Sequence, residues 1–210
     1  MLASLGFALF PLAESNAALT QGETQVRRYA PLGRTGMKIS DISFGGSRLR
    51  AGDEKIVLHA FDRGINYFDS AETYTDGESE TVIGNALRGK RDKVFLTSKI
   101  LAGPDASKES IMSALEGSLK RLGTDHVDVY FNHAVNDPAR LKNPEWHEFA
   151  ENARKVGKLR FTGMSGHAGR LIECRDRAKA CGSDLARRTP GGVYRTRQEP
   201  ACVLPFQLSE

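Results

Sequence analysis

Asp69, Tyr74, Lys99, His133 and Ser165 stand where short apolar runs give way to loops. A tyrosine hydroxyl, with a free pKa of about 10, is a poor acid at neutral pH. A lysine ammonium within about 4 to 6 Å favours the phenolate and so makes the hydroxyl a better proton donor. A carboxylate beside the lysine keeps it charged and in place, and an imidazole nearby can hold a carbonyl oxygen or share the proton. Asp69, Tyr74, Lys99 and His133, if they meet, would protonate a carbonyl oxygen while hydride reaches its carbon. No side chain donates hydride, so this chemistry requires a nicotinamide cofactor.

The elements that must position these residues alternate in type. Leu32 to Met37 has glycines spaced for a tight hairpin. Strands are expected at 41–44, 65–69, 93–99, 127–133 and 159–165, and helices at 53–63, 78–88, 107–122, 143–156 and 171–180. The helical patterns carry their own boundaries. Asp53 is the expected N-cap of the first helix, with Ile56 a turn from Ala60 and Val57 beside Phe61, and Gly64 stops it. Ser107 precedes Ile111, Leu115, Leu119 and Leu122, a 3.6-residue repeat that ends at Gly123. Asn143 and Pro144 open the fourth helix as cap and first residue, with Trp146, Phe149, Ala153 and Val156 expected to face inward. Five strand–helix units in this order predict right-handed crossovers and a parallel α/β sheet. In such an array the chemistry gathers where strands end and βα loops begin.

Longer motifs surround the same positions. Tyr29-Ala30-Pro31-Leu32-Gly33-Arg34-Thr35-Gly36, Phe68-Asp69-Ser70-Ala71-Glu72-Thr73-Tyr74, Gly77-Glu78-Ser79-Glu80, Thr97-Ser98-Lys99 and Val127-Asp128-Val129-Tyr130-Phe131-Asn132-His133 resemble the aldo-keto reductase family over residues 29–182. The resemblance implies a (β/α)8 TIM barrel and NADP(H)-dependent reduction of small aldehyde or ketone carbonyls. It also implies a tetrad of Asp69, Tyr74, Lys99 and His133, in which Tyr74 gives the proton, Lys99 and Asp69 tune it and His133 orients the substrate. Ser165 matches the position that contacts the nicotinamide carboxamide. Gly166-His167 follows it where many members have asparagine. The likeness ends after the fifth helix, so the fold expected is a partial barrel of about five β/α units.

The rest of the sequence sets bounds. The 210 residues are 40% hydrophobic and 27% charged, with a formal net charge of +4, an ordinary globular composition with no call for a polyanionic partner. Cys174, Cys181 and Cys202 match no zinc, haem or iron–sulfur spacing, and no metal site is expected. His59, His126, His147 and His167 read as structural or exposed, Gly45-Gly46 as a tight turn rather than a phosphate loop, and Ser165 has a helix-capping alternative. Residues 2–13 are apolar but too short to span a bilayer; no basic residue precedes them. Residues 1–18 therefore read as a remnant of an export signal or a disordered leader, which leaves the compartment exported or periplasmic in one case and cytoplasmic in the other. Residues 1–28 form that leader, 29–182 the partial barrel and 183–210 an irregular tail. Residues 170–197 carry eight basic and three acidic side chains, read as solvated rather than as a nucleic-acid surface. Two functions compete: an NADP-dependent carbonyl reductase, and a non-catalytic fragment or binding module whose tetrad is present but idle.

Overall fold

The computed structural model describes residues 25–166. The leader, the fifth helix, His167, the three cysteines and the tail arginines lie outside these residues. The chain opens with β1 (Tyr29–Pro31) and β2 (Lys38–Ser40), an antiparallel hairpin pairing Ala30 with Ile39. Gly33 and Gly36, at φ 53° and 75°, make its turn, closed by Leu32 N–H donating to the Met37 carbonyl at 2.9 Å. These backbone angles are readily available only to glycine, as the spacing implied.

Five parallel strands follow: β3 (Phe44–Gly45), β4 (Tyr67–Asp69), β5 (Phe95–Ile100), β6 (Val127–Asn132) and β7 (Leu159–Met164). They lie side by side in chain order. A doubly wound sheet reverses its order at a switch point; this one does not, and it is the arrangement of part of a (β/α) barrel. Helices α1 (Glu54–Asp62), α2 (Glu78–Ala86), α3 (Lys108–Leu122) and α4 (Pro144–Lys155) connect successive strands.

The strands have two apolar faces. Phe68, Leu96, Ile100 and Tyr130 join Val57, Ile83, Ile111, Leu115 and Phe149 of the helices in the larger core. On the opposite face Val129 and Phe131 pack with Met37 of the hairpin, flanked by Phe95 and Phe161. Asp69 and Lys99 alternate with larger-core residues along β4 and β5, which puts them on this second face.

Three expectations are corrected. Val156, expected to face inward, is 64% exposed; it stands past the last turn of α4, where Gly157 at φ 75° redirects the chain. Asp53 makes no cap bond to α1, because its carboxylate accepts from the Arg50 N–H at 2.9 Å. The first strand shortens to two residues, since the Ser40 hydroxyl donates to the Ile42 carbonyl at 2.7 Å and ties 40–42 into a turn. The cap at Asn143 forms as read, accepting from Glu145 N–H, and Ser107, the expected start of the third helix, is the N-cap of α3 and accepts from Ser110 N–H.

Candidate active site

Register brings the first two groups together. Asp69 pairs with Thr97 across β4 and β5, and the ladder continues past the strand as Ser70 N–H donates to Thr97 and Glu72 N–H to Lys99. Lys99, two residues on from Thr97, therefore faces the Asp69 carboxylate and forms a salt bridge with it. The Lys99 ammonium also donates to the Ser70 carbonyl at 2.7 Å. It is almost fully buried, so its charge is screened little by solvent. Burial pushes the Asp69 carboxyl above its ordinary value, and Lys99 opposes that with its charge and hydrogen bond.

Tyr74 completes the contact. Its hydroxyl oxygen lies 3.4 Å from Lys99 Nζ, and the ammonium sits 4.8 Å from the ring centroid. The backbone just after it is strained: Thr75, Asp76 and Gly77 have φ of 49°, 55° and 87°. A left-handed non-glycine residue costs on the order of 1 kcal/mol or more. Anchors hold the turn, with the Thr75 hydroxyl donating to Leu49 O at 2.7 Å and accepting from Ser79 N–H at 3.1 Å. Gly46 closes the space beneath, where a Cβ would stand 2.7 Å from Ser79 Oγ and 3.0 Å from Asp69 O. A close backbone approach, rather than a phosphate loop, is what this glycine serves.

His133 follows β6. Its N–H donates to Ile100 O at 2.7 Å, extending the β5–β6 ladder to the rim. The imidazole meets the Tyr74 ring edge-on, centroids 5.5 Å apart and planes at 83°, and its Nδ1 is 3.5 Å from the Thr73 hydroxyl. All four expected residues thus converge on one rim. Ser165 follows β7 beside them; its hydroxyl oxygen accepts from Ala134 N–H at 3.1 Å, so it secures the His133 loop and keeps its own hydrogen to donate.

Sequence reasoning missed the supports. Glu80 is fully buried and accepts from the Ser98 hydroxyl and from Arg121 Nε at 2.6 Å, joining α2 to β5 and α3. The Ser70 and Ser79 hydroxyls meet at 2.7 Å. Glu80 stood inside the Gly77–Glu80 motif, but its partner is 41 residues away and nothing local marks it. Arg140, on the connection from β6 to α4, grips that loop and carried no signal at all. Among the described residues no group of three His, Cys, Asp or Glu could hold a metal, and no helix is long and apolar enough to cross a membrane.

A sequence model described as "Aldo/keto reductase family" matches residues 42–180, a stretch that contains all five site positions. The chain belongs to the aldo/keto reductase family. Among curated relatives of this aldo/keto reductase, one named "Probable voltage-gated potassium channel subunit beta" from Oryza sativa subsp. japonica is 36% identical over 121 residues, covering 50% of this chain and 37% of that protein. The solved aldo-keto reductase AKR11C1 from Bacillus halodurans (holo form) superposes with a TM-score of 0.61 at 29% identity, covering 72% of this chain and 54% of that one. An aldo-keto reductase from Klebsiella pneumoniae in complex with NADPH gives a TM-score of 0.56 at 33% identity, covering 68% and 51%. The chain spans about half the length of these structures and less of the curated relative. The five-stranded sheet is accordingly part of a (β/α)8 barrel.

Proposed function

We propose that this aldo/keto reductase reduces a small aldehyde or ketone to its alcohol with NADPH, using Tyr74 as proton donor. The observation that carries the reading is the seat of the Lys99 ammonium, held by Asp69 and the Ser70 carbonyl within 3.4 Å of the Tyr74 hydroxyl. An ammonium there stabilises the phenolate that proton donation leaves. In this reading His133, edge-on to Tyr74, holds the substrate oxygen beside the hydroxyl. Ser165, with its hydrogen unspent on Ala134, fits a carboxamide oxygen, so the donor set at the rim suits a nicotinamide. NADPH, when bound, supplies the hydride. The NADPH-bound Klebsiella relative supports the choice of cofactor.

Titrating the full chain with NADPH while following cofactor fluorescence, then adding an aromatic aldehyde, tests the proposal. Saturable binding followed by aldehyde-dependent NADPH oxidation supports it. Binding without oxidation would leave the non-catalytic module as the better account, and absence of both removes the enzyme reading for the chain as it stands.

A further inference from the structure

Resting on that reading, we propose that Arg140 is a positioning residue for His133, its guanidinium bridging the loops that leave β5 and β6 and fixing the imidazole's place above Tyr74. Four of its five N–H groups are committed. Nε donates to Ala102 O at 2.6 Å, Nη1 to Ala134 O at 2.9 Å, and Nη2 to both Asn132 Oδ1 at 2.5 Å and His133 O at 2.9 Å. Three consecutive residues, with His133 in the middle, are therefore held by one side chain whose other end rests on the neighbouring loop.

The backbone there needs holding. Ala134 has φ 51°, a left-handed conformation that an alanine adopts at a cost of about 1 to 3 kcal/mol unless its surroundings enforce it. Arg140 takes its carbonyl, and Ser165 takes its N–H. Val135 N–H donates to Ser165 O at 2.6 Å and Ser165 N–H to Asn132 O at 3.0 Å, so β7 fixes the far side of the same turn. Asn132 is buried; without Arg140 its side-chain oxygen would lose this charged donor. Burial pulls the Arg140 pKa below the ordinary arginine value, a desolvation cost that the four hydrogen bonds offset. Lysine cannot replace the grip, because a single ammonium cannot present a planar fork to acceptors on two loops.

The test uses the full chain, ¹⁵N-labelled, with the imidazole signals of His133 assigned through His133→Gln. Arg140→Ala is expected to shift or broaden those signals while His59 and His126 stay in place. It should lower kcat on the order of 10²-fold with the KM for NADPH little changed, and added guanidinium ion should restore both in part. Arg140→Lys should show an intermediate shift. The proposal is overturned if folded Arg140→Ala keeps the His133 signals of the unsubstituted chain, or if its losses track its unfolded fraction and guanidinium ion restores nothing. Should Arg140→Ala fail to fold, Arg140→Lys decides: shifted His133 signals support positioning, unchanged ones refute it. If the unsubstituted chain turns nothing over, the proposed activity fails and the ring signals alone judge Arg140.

Discussion

Two charged clusters lie at opposite ends of the same sheet and are built differently. Toward the N-terminal end, Asp128 of β6 accepts from Arg91 Nη2 at 2.8 Å, Arg160 Nη1 at 2.8 Å and Leu96 N–H at 2.9 Å. Arg91 in turn donates to the carbonyls of Val94 and His126. Both carboxylate oxygens there are engaged, by guanidinium groups and one backbone N–H. At the C-terminal rim, Asp69 faces a lysine, and that lysine has a further neighbour, the Tyr74 hydroxyl, which has a proton to give. A closed network of arginines joins neighbouring strands. An ammonium shared between a carboxylate and a phenol leaves one partner free to react.

The largest effect expected is at the open cluster. Tyr74→Phe removes the proton and keeps the ring, so aldehyde-dependent NADPH oxidation should fall by about 10² to 10⁴-fold while the thermal midpoint stays near that of the unsubstituted chain. An unchanged rate would break the contrast between the two ends. The closed cluster should give the mirror result. Asp128→Ala takes away the acceptor of two guanidinium groups and of the Leu96 N–H and should cost about 1.5 to 3 kcal/mol in urea unfolding, with the rate per folded molecule preserved. A rate loss exceeding the unfolded fraction would show that the lower network reaches the chemistry.

How much of this was legible in sequence follows the range of each interaction. The α3 repeat of Ile111, Leu115, Leu119 and Leu122 lies within one helix, and all four are buried as the period requires. Asp69, Lys99 and His133 were legible because strand ends are marked by where apolar runs stop, and parallel register does the rest. Val156 was misread because periodicity was carried one residue beyond the helix, into the approach to Gly157. Arg140 and Glu80 were invisible for a different reason. Their partners, Ala102 and Arg121, lie 38 and 41 residues away, and neither pair leaves a repeat or a motif. The side chains that meet at the rim could be read; those that brace them from neighbouring elements could not.

A smaller effect at the rim is read out by pH. The folded Asp69 carboxyl takes up its proton at a higher pH than an unfolded aspartate, whose pKa is about 3.9. The native state therefore binds that proton more tightly. The stability this contributes is complete below the unfolded value and is lost as pH rises through the folded one. The stability advantage of the unsubstituted chain over Asp69→Asn should thus be greatest at the acid end and shrink from about pH 4 upward, measured as urea midpoints along a pH series. An advantage that grew with pH would mean that pairing with Lys99 outweighs burial in setting this carboxyl.

The finest test compares the two arginines on Asp128. Arg91 has a side chain 20% exposed and also donates to Thr124 Oγ1 at 3.2 Å as well as to the carbonyls. Arg160 is 45% exposed, holds Asp128 at 2.8 Å, and lies 5.6 Å from the Phe161 ring. Ion pairs open to solvent contribute at most about 1 kcal/mol, whereas removing a guanidinium that also satisfies two part-buried carbonyls takes a charged donor from each. Arg160→Ala should therefore lower stability by less than about 1 kcal/mol, and Arg91→Ala by clearly more. Equal losses in urea unfolding would show that the Asp128 charge alone sets the strength of the closed network and that Arg91's backbone bonds add nothing. The difference between the two ends of the sheet would then lie only in which cation faces the carboxylate, lysine at the rim and arginine below.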